Sequence, residues 1–108
     1  MTVEQLSREC GFKALSLPEP DRVVSGAYMG DLLSWVMGRA QENNAWITIM
    51  SNINVAAVAS LSDVSCVILS EGVTLEGDVL AVCADKGVNV LSSELDSYNT
   101  ALKISGMV

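Results

Sequence analysis

The chain has 108 residues, half of them apolar, with 13 acidic against 6 basic side chains, a net charge of −7 and no histidine. That length makes one domain able to bury about two thirds of its unfolded surface without staples. The charge disfavours nucleic acid and anionic membrane as partners, and the lack of histidine removes the commonest general base. Thr2-Val3-Glu4-Gln5 has the spacing of a capping box, Val3, Leu6 and Cys10 recur at helical intervals, and Gly11 suits a left-handed stop, so residues 3–10 read as a helix. Phe12 to Leu17 alternates as a brief edge strand that Pro18-Glu19-Pro20-Asp21 ends, and Arg22 to Ala27 reads as the next strand. Gly30-Asp31 then opens a helix to about Ala40, with Leu32, Leu33, Val36 and Met37 as its buried stripe.

Trp46-Ile47-Thr48-Ile49-Met50 and Cys66-Val67-Ile68-Leu69 are short apolar or β-branched runs that end in small polar residues, the profile of parallel strands covered on both faces. Between them, Asn54 to Leu61 is helical, and its small apolar run Val55 to Ala59 calls for close packing on a sheet or on a second subunit. Thr74 is an N-cap candidate for a helix of about Leu75 to Asp85, stopped by Lys86-Gly87. Val88 to Leu91 makes a further strand, and Ser93-Glu94-Leu95-Asp96 opens a last helix with Leu95, Tyr98 and Leu102 at core spacing and Gly106 at its end. Strand starts near 23, 46, 66 and 88 repeat about every 21 residues. Such alternation implies right-handed βαβ crossovers, hence an α/β fold of three layers: a mostly parallel sheet of four to five strands with helices on both faces, spanning residues 1–108 as a single domain.

In such folds ligands gather beyond the carboxyl ends of the strands, where helix N-termini point free N–H groups outward. The loops concerned supply Gly26, Tyr28 and Asp31; Ser51, Asn52 and Asn54; Ser70, Glu71 and Gly72; and Ser92 and Ser93 as candidate ligand-binding residues. Helix capping alone would also account for serine and asparagine at these places. No lysine or arginine lies in the four loops, while Asp31, Glu71 and Glu94 bring negative charge, so a neutral or amine-bearing small molecule suits them better than a polyphosphate. Asp31 and Glu71 are unpatterned carboxylates, and no metal or cofactor is expected. Cys10, Cys66 and Cys83 have neither C-x-x-C spacing nor an even count, which favours buried reduced thiols over a disulfide framework or zinc site. With no catalytic set of residues, no enzyme is expected. No run of apolar residues reaches bilayer length and the amino-terminal stretch lacks the features of a secretory signal, so the location read from the sequence is cytoplasmic.

The stretch Val24-Ser25-Gly26-Ala27-Tyr28-Met29-Gly30-Asp31-Leu32-Leu33-Ser34-Trp35-Val36-Met37, followed by Trp46 to Ile49, Asn54 to Ala59 and Gly87 to Ser93, resembles the stand-alone DRTGG domain proteins nearly end to end. That family is similar in fold to the N-terminal domains of HPr kinase/phosphorylase and of the Mur ligases, and it occurs fused to CBS domains and to phosphotransacetylases. The resemblance implies a regulatory, ligand-sensing role, and the polar loops beside an apolar surplus that includes the Val55 to Ala59 face add the expectation of a non-catalytic homodimer. The alternative is a pure interaction module for a kinase, phosphatase or redox-enzyme complex, with no small-molecule pocket. The family's Asp-Arg pair should fall at Asn52-Ile53-Asn54 and its Thr-Gly-Gly at Ser70-Glu71-Gly72; only Gly72 matches, and the missing arginine means that no anion contact is carried over. Kinase activity toward HPr belongs to a separate P-loop domain that this sequence lacks.

Overall fold

The computed structural model describes residues 1–108. Helix α1 (Val3–Cys10) opens with the reciprocal cap, in which Thr2 Oγ1 accepts from the Gln5 amide and Gln5 Oε1 accepts from the Thr2 amide, and closes on left-handed Gly11. Strand β1 (Lys13–Ser16) follows, then the Pro18–Asp21 turn. The strand expected over residues 22–27 forms later and shorter, as β2 (Ala27–Met29). Its early amides are drawn elsewhere: Val24 donates to the Met1 carbonyl and Ser25 to that of Asn43, and Gly26, at φ +74°, turns the chain before the ladder begins.

The remaining elements are α2 (Leu33–Arg39), β3 (Ala45–Thr48), α3 (Asn54–Ser62), β4 (Cys66–Leu69), α4 (Gly77–Asp85), β5 (Val90–Ser92) and α5 (Ser97–Ile104). Observed strand starts at Ala27, Ala45, Cys66 and Val90 are less regular than the sequence spacing implied. The five-stranded sheet has the order β1-β5-β4-β3-β2, parallel throughout except that β1 runs antiparallel to β5.

From β2 to β5 each crossover steps one strand in the same direction, and right-handed crossovers that step the same way put their helices on the same face. Accordingly Val36 of α2, Val55, Ala56, Val58 and Ala59 of α3, and Val79 and Cys83 of α4 pack with Trp46, Val67, Leu69 and Val90. Val3 and Leu6 of α1 and Ile104 of α5 cover the other face with Ala45, Ile47, Cys66, Ile68 and Leu91. Burial of both faces is why β3 and β4 read as unbroken apolar runs. Four residues of the Val55–Ala59 run are therefore buried inside the monomer, between the sheet and its neighbouring helices, while Ala57 stays partly exposed.

Three helices differ from their sequence reading. In α2 only Val36 is buried, while Leu32 and Met37 are exposed, because the helix is two turns long at the edge of its layer. Helix α4 begins at Gly77 after Glu76, so Thr74 caps nothing; Leu75 instead buries its side chain ahead of the helix. Helix α5 is rotated: Thr100 and Ile104 face inward, whereas Leu95, Tyr98 and Leu102 stand in solvent, Tyr98 at 67% exposure. The rotation is held by hydrogen bonds, since Thr100 Oγ1 pairs with Ser93 Oγ at 2.9 Å in the interior and donates to the Leu95 carbonyl at 3.3 Å. A buried hydroxyl that left those partners would incur a desolvation cost that outward-facing Tyr98 and Leu102 do not.

Candidate functional site

The tails of β2, β3, β4 and β5 end on one rim of the sheet, as parallel order requires. At the tails of β2, β4 and β5 the residue beyond the strand continues the ladder: Gly30 N–H donates to the Ile47 carbonyl, Ser70 N–H to that of Thr48 and Ser93 N–H to that of Leu69. Beyond β4 the chain turns to the α4 face, and beyond β5 it crosses to the α5 face. Loops that leave neighbouring strands for opposite faces are where α/β sheets open a crevice.

Here that crevice is stitched shut. Glu71 N–H donates to the Leu95 carbonyl at 2.7 Å and Gly72 N–H to that of Ser93 at 2.8 Å. Ser70 Oγ pairs with Ser97 Oγ at 2.7 Å, Ser92 Oγ donates to the Val73 carbonyl at 3.1 Å, and Ser93 Oγ, besides Thr100, accepts from the Leu95 amide. Ser70 to Val73 forms a tight turn with Glu71 at φ +61° and Gly72 at φ +69°, closed by Val73 N–H on the Ser70 carbonyl. Two successive left-handed central residues are the signature of a type I′ turn, which glycine enters freely and glutamate does not. Glu94 lies directly over Gly72, where an added Cβ would come within 3.0 Å of its carboxylate.

The β2–β3 end of the rim is more open. One oxygen of Asp31, Oδ1, accepts from Thr48 Oγ1 at 2.7 Å and from the Ile49 amide at 3.0 Å, tying the two tails together and leaving Oδ2 free. Asn52 Oδ1 accepts from the Asn54 amide and so shapes the start of α3. Ser51 and Asn54 keep their side chains exposed. Tyr28 is half-buried with its ring against Gly30. Of the sequence-selected residues, Gly26 alone stands away from the rim, at the opposite end of β2, where it approaches the side chain of Asn44.

One rim residue escaped the sequence reading. Because β1 is antiparallel, its first residue, Lys13, pairs with Ser92 and brings a cation to the carboxyl end of the sheet. Nothing local marks it, since its place depends on the partner and direction of β1. The rim therefore combines Lys13 with Asp31, Glu71 and Glu94.

The molecule's one cavity lies elsewhere, a shallow hollow of about 540 Å³ at the amino ends of the parallel strands, lined by Pro18, Glu19, Pro20, Asp21, Arg22 and Asp63. Arg22 is its centre: Nη2 donates to the carboxylate and to the carbonyl of Asp63, both at 2.6 Å, and to Asn43 Oδ1 at 3.2 Å. Asn43 and Asp63 are both left-handed, so the guanidinium pins the two turns that feed β3 and β4. No group of three metal-ligating side chains comes together anywhere in the chain. The cysteines are unpaired; burial raises all three thiols, Cys66 to about 12, so none is tuned as a nucleophile.

Fold and rim thus define an α/β domain with a singly wound parallel sheet. The family model for the DRTGG domain matches residues 22–107, and the chain belongs to that family. Among solved structures it is similar to the CBS and DRTGG domains of the regulatory region of Clostridium perfringens pyrophosphatase, determined in complex with the activator diadenosine tetraphosphate. The TM-score is 0.73 at 16% identity, over 95% of this chain and 45% of that one. The likeness establishes the fold, and this chain spans just under half of that structure. No curated protein matches the sequence. Of the two left-handed positions in the Ser70–Val73 turn, glycine holds the second as Gly72 and Glu71 is forced into the first.

Proposed function

We propose that this chain is a non-catalytic regulatory domain of the cytoplasm that senses a small molecule at the carboxyl ends of its parallel strands and works as a homodimer. The observation that carries the reading is the single rim on which four strand tails converge, with Asp31 Oδ2, Ser51 and Asn54 unengaged at its β2–β3 end. A regulatory role also fits the structural neighbour, whose matching domain belongs to the regulatory region of an enzyme. The ligand differs in class from that neighbour's activator. Three carboxylates against Lys13 disfavour a polyphosphate and suit a neutral or amine-bearing compound whose cationic group meets Asp31. With no histidine in the sequence and no lowered thiol, the rim is read as a surface that binds rather than one that catalyses.

A thermal-shift screen of amino acids, amines, nucleosides and nucleotides tests this. A binder at about a hundredfold over its Kd adds roughly 2.7 kcal/mol and shifts the melting temperature by several degrees. The expected hit is an amine or zwitterion whose effect Asp31→Asn abolishes. A shift by nucleotides alone, or by nothing, overturns the ligand. The second reading, an interaction module without a pocket, draws on the internal use of the Ser70, Ser92 and Ser93 hydroxyls and on the exposed apolar surface of α2. Under it, no compound moves the melting temperature.

A further inference from the structure

The turn that closes the β4–β5 crevice is held differently from the strand tails beside it. The amides of Ser70 and Ser93 continue the ladder between buried strands, whereas those of Glu71 and Gly72 join one loop to another, over bonds of similar length. Residues 71–74 bury no side chain: Glu71 and Thr74 are exposed, Gly72 and Val73 half-buried. Buried Ser70 and Leu75 anchor the two ends, and α4 starts only at Gly77, with no side-chain cap. A short segment between two anchors, with little apolar surface to lose on lifting, is the kind of element that opens while the rest of a domain stays folded.

What the segment covers is polar. Of the seven buried polar residues in the chain, four line this crevice: Ser70, Ser92, Ser93 and Thr100. When the turn lifts, amides and hydroxyls trade protein partners for water, a smaller loss than exposure of an apolar core. The same movement relaxes Glu71, whose backbone at φ +61° is strained by its Cβ. The other non-glycine residues in that region, Asn43 and Asp63, are of the types that tolerate it, and Arg22 clamps both. Glu71 has neither advantage, so the closed turn carries a cost that opening removes.

We propose that residues 71–74 form a strap, hinged at Ser70 and Leu75, that opens and closes over the β4–β5 crevice, with the strain at Glu71 setting the balance; its purpose as a gate to that end of the rim rests on the ligand reading above. Native-state hydrogen exchange of the full chain reads the opening without any ligand. The Glu71 and Gly72 amides exchange together, about a hundredfold or more faster than those of Ser70, Ser93 and Val67, the last of which donates to the Asn89 carbonyl at 2.8 Å within the sheet. Glu71→Gly slows the Gly72 amide about fivefold after correction for its intrinsic rate. Glu71→Gln, which keeps the strained backbone and removes only the charge, leaves it within about twofold. Glu71 is exposed, and an unchanged circular dichroism spectrum confirms the fold of each variant. Glu71 and Gly72 amides as slow as those of Ser70 and Ser93 overturn the strap, whatever the thermal-shift screen finds. Equal slowing by Glu71→Gly and Glu71→Gln overturns the role of backbone strain. Fast exchange at these two amides, beside a screen without a hit, ends the ligand reading and leaves the opening established.

Discussion

At the β4–β5 tails, Ser70, Ser92 and Ser93 turn their hydroxyls toward Ser97, the Val73 carbonyl and Thr100, whereas around β2 the side chains of Met29, Leu32 and Trp35 remain in water. The polar loops look available in one dimension and are closed in three. The apolar flank looks like core in one dimension and is exposed in three. Reach decides both outcomes: two loops leaving for opposite faces come close enough to bond each other, while β2 has no further strand beyond it and α2 lies at the end of its layer.

The hardest test of this contrast is the buried anchor that separates the two regions. Trp46 is fully buried and donates from Nε1 to the Gly30 carbonyl at 2.9 Å. Replacement by alanine should cost about 3–5 kcal/mol, most of the stability of a small domain, read as the loss of a cooperative denaturant transition or a large fall in its midpoint. Next comes alkaline pH. Burial in the layer between β4 and α1 raises the Cys66 thiol from 9.0 to about 12, so the folded chain holds its proton after the unfolded chain has released it. Its contribution is intact below pH 9 and is lost as pH rises through that interval, and Cys66→Ala should flatten the corresponding fall in melting temperature.

Smaller effects probe the two ends directly. Thr100→Val removes the buried hydroxyl partner of Ser93 Oγ, which keeps only the Leu95 amide, and should cost about 1–3 kcal/mol by chemical denaturation, whereas Tyr98→Ser on the outer side of the same helix should change stability within about 0.5 kcal/mol. Arg22→Ala, which frees the Asn43 and Asp63 turns, should lower stability by about 1–2 kcal/mol after allowance for the exposure of Asp63. Glu71→Gly should act in the opposite sense: relief of the left-handed backbone raises stability by up to about 1 kcal/mol, or roughly 4 °C in Tm. A loss of stability in that variant would mean that Glu71 makes a contact worth more than the strain.

The capped first helix, the both-sides-buried strands β3 and β4, the small-residue helix between them and the parallel architecture were all legible along the chain, because each is written in neighbouring residues: a reciprocal cap, an unbroken apolar run, a stop residue. Where β2 begins and which side of α5 faces inward were decided only in the folded molecule, by amides drawn to Met1 and Asn43 and by a hydroxyl pair between Ser93 and Thr100. Lys13 reaches the rim, and the crevice between β4 and β5 closes, for the same reason. Periodicity records how a residue relates to its own segment, while strand order, strand direction and loop-to-loop hydrogen bonds join residues that the chain itself keeps far apart.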